Sequence, residues 1–334
     1  MTGVVVIGAG QAGLAVGYHL RRAKADFVIL DAQEQPGGAW RHVWPSLRLF
    51  SPAQYSSLPG RMMPAPSDGG YPTAADTVAY LADYELRYNL PIERPVTVSA
   101  VRRDGDALLV EGDRGSWRAK TVISATGTWW RPYVPYYPGG FDGRQLHTVN
   151  YQGPEPFAGM RVVVVGGANS GAQILAEVSA VAETTWVTLR PPRLLPDELD
   201  GRALFEHATR RLQGASGGDL GDIVAVPSVR AARDRGVLKA EPMFARLTPD
   251  GVAWADGSAL ACDVIIWCTG FRPALGHLTP LKLRGPDGTI PVDGTQAIDE
   301  PRLHLLGYGD WTGPASATLI GAGRTARELV RRLS

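Results

Sequence analysis

The sequence predicts an α/β fold with two three-layer (ββα) domains, the second inserted into the first. Three observations predict it: an apolar β-branched run that ends in a glycine-rich turn at 4–13, a second copy of this pattern at 162–171, and a strand at 303–307 that we assign to the first copy. The chain has 334 residues, enough for about two domains that each bury a core. The expected first domain comprises 1–153 and 271–334, and the expected second domain comprises 154–270.

The composition is typical of a soluble α/β protein. Hydrophobic residues make up 44% of the chain and charged residues 20%, with a net charge of +1. This balance gives no reason to expect nucleic acid or an anionic membrane as a partner. No apolar run approaches the roughly 18 residues that a membrane span requires. Because the first strand begins almost at the initiator methionine, we expect no signal peptide and a cytoplasmic location.

The opening turn has the pattern Gly-x-Gly-x-x-Gly at Gly8, Gly10 and Gly13. The first glycine permits the tight turn, the second lets the backbone approach a pyrophosphate, and the third lets the following helix pack on the strand. The positive end of that helix faces the phosphates. The next apolar run ends at Asp31, where a carboxylate accepts hydrogen bonds from two ribose hydroxyls. The segment therefore predicts a Rossmann-like dinucleotide site.

The second glycine-rich turn runs from Gly166 to Gly171, with Ala168 at the place of the middle glycine. The strand after its helix ends at Arg190 instead of an acid. A guanidinium cannot accept hydrogen bonds from a ribose but grips a 2′-phosphate, so the second site is expected to prefer NADPH over NADH. An ordinary solvated surface arginine is the alternative.

Several segments outside the two turns are expected to contact a cofactor. The irregular segment 35–72 is expected to wrap it, although a loop with Trp44 and Phe50 packed in a core stays open. Near the C-terminus, Asp310 precedes a helix expected to start at 315 and continue to 333. An acid beside a helix N-terminus suits the sugar-alcohol chain and reduced ring of a flavin, which favours FAD in the first site. A plain helix cap by Asp310 or Ser316 is the alternative.

Two dinucleotide sites in one chain suggest that NADPH reduces FAD. The two cysteines, Cys262 and Cys268, lie about 20 Å apart if their run is one strand, so they form no internal redox pair. Molecular oxygen or an external acceptor must then reoxidise the flavin. By itself, His147 is more typical of a structural histidine than of a catalyst.

Five motifs are spread over nearly the whole chain: Gly8 to Gly13, Gly37-Gly38-Ala39-Trp40, Phe141-x-Gly143-x-x-x-His147-x-x-x-Tyr151, Gly166 to Gly171 and Thr269-Gly270-Phe271. Together they resemble the flavin-containing (class B) monooxygenases. Within that family, 38–60 and 308–319 are similar to short flavin monooxygenases encoded in bacterial arsenic-resistance operons. The resemblance implies an NADPH- and FAD-dependent enzyme that forms a flavin C4a-hydroperoxide and oxygenates a small soft nucleophile, a trivalent arsenical first among them.

The expected site residues follow from the turns and the resemblance. The catalytic candidates are Ser51, at the approximate place of an asparagine in larger family members, and His147, and no metal is expected. Those expected to bind FAD are Gly8, Gly10, Gln11, Ala12, Gly13, Asp31, Ala32, Gly38, Trp40, Ser51, Val98, Thr126, Gly127, Asp310 and Thr318. Those expected to bind NADPH are Gly166, Gly167, Asn169, Ser170, Gly171, Arg190, Thr269 and Gly270.

Two other functions remain open on the sequence. One is an NAD(P)H-dependent flavin reductase that passes electrons to an external disulfide, quinone or metal. The other is a non-catalytic redox-sensing flavoprotein. The expected partners are a small-molecule substrate and molecular oxygen, without nucleic acid or membrane, and a homodimer is compatible with the sequence.

Overall fold

A computed structural model describes residues 1–197 and 223–333. A helix expected over 202–211 and a glycine-rich break at 214–221 lie outside these described residues. The helices described are α1 (Gln11–Arg22), α2 (Ala74–Arg87), α3 (Asn169–Val178), α4 (Pro227–Asp234) and α5 (Leu319–Leu333). The strands described are β1 (Thr2–Ile7), β2 (Phe27–Leu30), β3 (Ile92–Glu93), β4 (Val98–Asp104), β5 (Ala107–Gly112), β6 (Gly115–Ser124), β7 (Arg144–His147), β8 (Arg161–Val165), β9 (Glu183–Thr188), β10 (Ala240–Pro242), β11 (Arg246–Thr248), β12 (Gly251–Ala253), β13 (Ala259–Ala261), β14 (Val264–Trp267), β15 (Val292–Asp293), β16 (Gln296–Ala297) and β17 (Glu300–Leu305).

The chain divides into two compact units. The first comprises 1–41, 52–130 and 273–334, and the second comprises 42–51 and 131–272. Residues 131–153, which the sequence predicts with the first domain, lie in the second unit because β7 pairs with β14 in its sheet. Which cofactor each unit binds stays a prediction.

The first unit has a nine-stranded sheet around a parallel core. The parallel strands follow the order β3-β2-β1-β6-β17, with Val4 opposite Phe27 and Thr121. An antiparallel meander, β4-β5-β6, continues from the core strand β6. The carboxyl ends of β1, β2, β6 and β17 meet at one edge, where ligands of open parallel sheets bind.

The second unit contains a five-stranded parallel sheet and a three-stranded antiparallel sheet. The parallel order is β10-β9-β8-β14-β7, and the antiparallel order is β11-β12-β13. Side chains such as Val163, Ile265 and Trp267 build a core against Phe244 and Val252. The α/β class with parallel sheets that the sequence predicts is confirmed.

Side-chain caps mark where two of the described helices, α2 and α5, begin. Thr73 and Asp76 form a capping box, in which the Thr73 hydroxyl accepts from the Asp76 backbone N–H and the Asp76 carboxylate accepts from the Thr73 N–H. The expected start of the last helix at 315 is wrong. Ala315 has a φ of +55°, outside the helical region, and the Thr318 hydroxyl accepts from the Gly321 N–H as the true cap.

Helix α4 has no counterpart among the predicted elements, because its sequence is polar and short. The feature of the sequence that indicates this helix is Pro227, which occupies its first helical position. In the described part of the chain, no helix is long and apolar enough to cross a membrane. The described residues also contain no group of three or more His, Cys, Asp or Glu side chains arranged to hold a metal ion.

Candidate active site

The first glycine turn packs tightly on protein at two of its three glycines. Gly8 has a φ of +103°, and a Cβ there would lie 2.6 Å from the Ala125 carbonyl oxygen. A Cβ at Gly13 would lie 1.8 Å from the Gly8 carbonyl oxygen. Around the corresponding position of Gly10, no described residue other than its two chain neighbours has an atom within 4 Å. Gly10 therefore faces open space.

That space is part of an open cleft in the first unit. The cleft lies at the carboxyl ends of the parallel strands and includes residues that the sequence did not single out, among them Gln33, Thr97 and Trp130. The residues predicted to bind FAD that do line it are Gly8, Gly10, Gln11, Ala12, Asp31, Ala32, Gly38, Trp40, Val98, Thr126 and Gly127.

Asp31 lines the cleft at the end of β2 and is buried. Arg94 Nη2 lies 3.1 Å from Asp31 Oδ2 as an ion-pair partner, yet this oxygen accepts no well-aligned hydrogen bond from the described residues. Burial raises the pKa of the Asp31 carboxyl, and Arg94 opposes that rise. The site thus presents a buried acceptor, as a ribose requires. Sequence reasoning missed Arg94.

Two predicted side chains are linked to each other across the turn. The Trp40 indole N–H donates to Gln11 Oε1 at 2.6 Å, and Gln11 Nε2 donates to the Ala317 carbonyl oxygen. Gln11 is the first residue of α1, whereas Trp40 lies in a 3-10 turn at 38–41. These bonds fix the indole beside the positive end of α1.

A buried polar network lies behind the cleft, at the end of β6. The Tyr308 hydroxyl lies 2.8 Å from both Ser124 Oγ and Thr126 Oγ1 and accepts from the Thr126 N–H. His277 Nε2 lies 3.1 Å from Ser124 Oγ. Burial lowers the pKa of His277 to about 4, so its imidazole is neutral at neutral pH. The network fixes Thr126, which lines the cleft, through residues that the sequence did not reveal.

Four residues predicted for FAD, namely Gly13, Ser51, Asp310 and Thr318, lie outside the wall of the cleft. Gly13 is buried in α1, where it contacts the turn. Asp310 is exposed, and its Oδ1 accepts from the Ala315 N–H. Thr318 caps α5. The predicted contacts of Asp310 and Thr318 with a flavin stay predictions.

The second glycine turn repeats the contacts of the first. A Cβ at Gly166, which has a φ of +132°, would lie 2.2 Å from the Cys268 carbonyl oxygen, and a Cβ at Gly171 would lie 2.2 Å from the Gly166 carbonyl oxygen. Ala168 is the N-cap residue of α3 with φ −117° and ψ −176°, extended backbone that any residue adopts. Asn169, which is predicted to bind NADPH, accepts a hydrogen bond at Oδ1 from the Val224 N–H at 2.9 Å. Its side chain therefore also holds the backbone at Val224 in place.

Arg190 follows β9 and is exposed next to the second turn. A Cβ on Gly167 would lie 3.6 Å from the Arg190 carbonyl oxygen, so the backbones of the turn and of Arg190 are adjacent. Its exposed side chain is consistent with both the predicted phosphate contact and the solvated alternative. The position at the end of the second strand is the one from which a side chain reaches a ribose 2′ substituent.

His147 is engaged through both ring nitrogens. Nε2 lies 3.0 Å from the Gly270 carbonyl oxygen, and Nδ1 accepts from the Val149 N–H at 3.3 Å. Burial lowers its pKa, which favours a neutral ring that donates from Nε2. Thr269, also predicted for NADPH, donates its hydroxyl to the Tyr133 carbonyl oxygen. This arrangement favours a structural role for His147.

Ser51 is buried in the segment 42–51, which belongs to the second unit. That segment is anchored by side chains of the same unit: Ser46 Oγ donates to Glu177 at 2.7 Å, Tyr151 donates to the other Glu177 oxygen at 2.8 Å, and Trp44 packs edge-on against Tyr151. Trp44 is thus packed in protein, the alternative that the sequence left open. The proposed role of Ser51 beside a flavin stays a prediction.

Comparisons with known proteins show the family. A family model described as pyridine nucleotide-disulphide oxidoreductase matches residues 5–210. The solved structure of a flavin-containing monooxygenase from Stenotrophomonas maltophilia is 55% identical, covers 99% of this chain and 98% of that chain, and superposes with a TM-score of 0.93. The chain belongs to the flavin-containing monooxygenases, within the pyridine nucleotide-disulphide oxidoreductase family.

Two curated bacterial relatives match this monooxygenase over nearly their full length. An uncharacterized oxidoreductase named CzcO-like, from Geobacillus kaustophilus, is 32% identical over 98% of this chain and 97% of its own. CzcO of Bacillus subtilis, also named an uncharacterized oxidoreductase, is 29% identical over 100% of this chain and 99% of its own. The protein is a flavin-dependent monooxygenase that uses FAD and NADPH, molecular oxygen and a small-molecule substrate.

The two glycine turns of the monooxygenase fit such cofactors. In the first unit, the unfilled space at Gly10 and the Asp31 carboxylate at the end of β2 suit a pyrophosphate and its ribose. In the second unit, the extended backbone at Ala168 precedes the N-terminus of α3, and Arg190 supplies an exposed cation beside the turn. These residues would hold the dinucleotides.

Proposed function

We propose that the first cleft holds FAD, that the second turn with Arg190 holds NADPH, and that the enzyme oxygenates a small soft nucleophile, with a trivalent arsenical as the first candidate. When bound, FAD accepts reducing equivalents from NADPH and with oxygen supplies an electrophilic oxygen atom. The assignment of FAD to the first unit and of NADPH to the second rests on the acid at the end of β2 and the arginine after β9.

The similarity of 38–60 and 308–319 to the short flavin monooxygenases of bacterial arsenic-resistance operons supports the substrate proposal. Trivalent arsenic and divalent sulfur each carry a lone pair that accepts an electrophilic oxygen atom directly. Such a substrate needs no general acid or base from the protein.

The wall residues have binding and orienting roles in this proposal. Backbone N–H groups at the start of α1 face a pyrophosphate, and Asp31 accepts from a ribose. Trp40 is held by Gln11, and Thr126 is held by Tyr308, so two sides of the cleft are preorganised before a ligand enters. Preorganisation limits the ordering that binding itself must supply.

The substrate class is tested by a screen with product analysis. Purified holoenzyme is given NADPH and, in parallel, arsenite, a trivalent methylarsenical, an alkyl sulfide and a tertiary amine, while NADPH loss, peroxide and oxygenated product are measured. We expect product in proportion to NADPH for the arsenical, labelled with ¹⁸O when ¹⁸O₂ is used. A peroxide yield equal to NADPH loss, with no arsenical product, would reject the arsenical as substrate.

The coenzyme assignment is tested by Arg190→Ala, with Arg246→Ala as the matched control. Arg246 is likewise an exposed arginine of the second unit, but it lies on β11. Loss of one phosphate-binding guanidinium is expected to raise KM for NADPH by about tenfold or more, since charge-assisted hydrogen bonds contribute about 1.5–3 kcal/mol. KM for NADH should stay within about twofold. Equal losses for both coenzymes would remove the 2′-phosphate role.

A reductase without oxygen insertion is the competing outcome. Burial raises the pKa of Cys262 to about 11 and of Cys268 to about 12, so neither thiol is reactive at neutral pH, and both are free. Any disulfide chemistry would need an external partner. Sustained anaerobic NADPH turnover with a disulfide or quinone would favour that reading. A cytoplasmic location and a homodimer stay predictions, the latter checked by mass in solution.

A further inference from the structure

The backbone around Asp31 places one particular arginine beside its carboxylate. Strand β2 pairs in parallel with β3, the Asp31 N–H donates to the Glu93 carbonyl oxygen at 3.0 Å, and the Val96 N–H donates to the Asp31 carbonyl oxygen at 2.8 Å. Arg94 lies between these two attachments. Its position beside Asp31 is therefore set by hydrogen bonds to the peptide groups of Asp31 itself.

The guanidinium is fixed from the other side by α2. Arg94 Nη1 and Nη2 donate to the two Glu85 carboxylate oxygens at 2.6 and 2.9 Å, a bidentate pair, while Nη2 also lies 3.1 Å from Asp31 Oδ2. The exposed fractions of the three side chains are 14% for Arg94, 11% for Glu85 and 7% for Asp31. Three charges are thus held in one partly desolvated cluster.

The charge state of Asp31 decides what it can accept. An ionised carboxylate only accepts hydrogen bonds, whereas a protonated one donates one and loses acceptor capacity toward two hydroxyls. Burial favours protonation of Asp31, and Arg94 opposes it. Arg94 is the charged group that acts on Asp31 directly, Glu85 acts through Arg94, and the remaining contacts are backbone N–H groups of Ala9 and Gln33.

We propose that Arg94 is a positioning residue that keeps the Asp31 carboxylate ionised and fixed at the cleft, and that it thereby sets the acid limit of FAD binding. The inference rests on the proposed assignment of this cleft to FAD. A purely structural Arg94 would stabilise the unit without moving the pH profile of binding.

The experiment measures FAD affinity of the apoprotein by flavin fluorescence between pH 5.5 and 8.5. The variants are Arg94→Met, Arg94→Lys, Asp31→Asn and the double variant of Asp31→Asn with Arg94→Met. Arg102→Met is the matched control, because Arg102 is an exposed arginine of the same unit that pairs with Glu111 on the meander. Thermal midpoints of each apoprotein at each pH report folding separately.

We expect the acid-side loss of affinity, about tenfold per pH unit for one coupled proton, to begin at a higher pH in Arg94→Met than in the wild type. Arg94→Lys, which keeps the charge, should restore most of the wild-type profile. In the Asp31→Asn background, Arg94→Met should change FAD affinity by less than about twofold, since Arg94 acts through Asp31. Arg102→Met should leave the profile unchanged.

Two results would overturn the inference in distinguishable ways. If Asp31→Asn weakens FAD but Arg94→Met keeps the wild-type pH profile, Arg94 has no positioning role, while the assignment of the cleft survives. If Asp31→Asn binds FAD as tightly as the wild type, the assignment itself fails and the role of Arg94 falls with it. Should Arg94→Met not fold, Arg94→Gln takes its place, because it removes the charge but keeps hydrogen-bond donors for Glu85. An acid-side loss that begins at a higher pH in Arg94→Gln would support the inference, and a wild-type profile would overturn it.

Discussion

The first glycine turn allows the requirements of folding to be separated from those of ligand binding. In Gly13→Ala the new Cβ would lie 1.8 Å from the Gly8 carbonyl oxygen and must move about 1.2 Å to reach even 3.0 Å. Both groups belong to the backbone, so no flexible side chain can yield. In Gly10→Ala the new Cβ meets no described atom within 4 Å, and the backbone at φ −73° and ψ −174° is one that alanine adopts.

Gly13→Ala is therefore expected to affect mainly the stability of the protein, and Gly10→Ala mainly its affinity for FAD. Overpacking costs about 1–3 kcal/mol and more when backbone must move, while alanine regains about 1 kcal/mol over glycine inside a helix. Gly13→Ala should thus lower the free energy of unfolding by about 2 kcal/mol or more. Gly10→Ala should stay within about 0.5 kcal/mol of the wild type, yet weaken FAD by about tenfold or more, a loss of about 1.4 kcal/mol.

Urea denaturation of the apoprotein and titration with FAD measure the two quantities independently. The reasoning is refuted if Gly10→Ala destabilises the apoprotein as much as Gly13→Ala does, because the space around Gly10 would then be needed by the protein. It is equally refuted if Gly10→Ala binds FAD like the wild type, because the open space would then not be the place of the pyrophosphate.

Two stability predictions follow from buried titratable side chains in the first unit. The pKa of His277 is about 4 in the folded protein and about 6.5 when unfolded, so the unfolded chain binds the extra proton and stability falls as the pH drops from 6.5 towards 4. In urea denaturation at pH 4 to 7, His277→Gln should reduce this fall by up to about 3 kcal/mol. An unchanged dependence of stability on pH would contradict the prediction. Glu300, whose side chain is 3% exposed, accepts from both Arg103 and Arg302. Glu300→Gln should therefore lower the free energy of unfolding by about 3 kcal/mol, whereas Glu111→Gln, in the more exposed pair with Arg102, should lower it by less than about 1 kcal/mol. Similar losses in the two variants would contradict this prediction.

The features that the sequence predicted well are those with local causes. The glycine spacing of both turns reflects clashes between residues five positions apart, such as Gly13 with Gly8, so the pattern can be read along the chain. Steric contacts between residues close along the chain leave a fixed spacing in the sequence, and the structure shows the same contacts in both turns.

The features that were missed have partners far along the chain. Arg94 acquires its role from Asp31 and Glu85, and neither its neighbours nor its spacing mark it. His277 and Tyr308 meet Ser124 only because the segments that carry them lie against β6. In each case a single polar residue without periodicity becomes informative once the fold brings its partner near.

The two turns together show that the glycine pattern combines two separate requirements. Gly8 and Gly13 repeat the backbone contacts of Gly166 and Gly171, so these positions serve the strand-turn-helix packing in both units. The middle position differs: Gly10 faces open space, and Ala168 has an extended backbone that tolerates a side chain. An alanine there is compatible with the fold, and in the proposed assignment its methyl group keeps a pyrophosphate slightly farther from the backbone. In the proposed assignment, the closer approach belongs to FAD, which stays bound, and the looser one to NADPH, which must leave after each turnover.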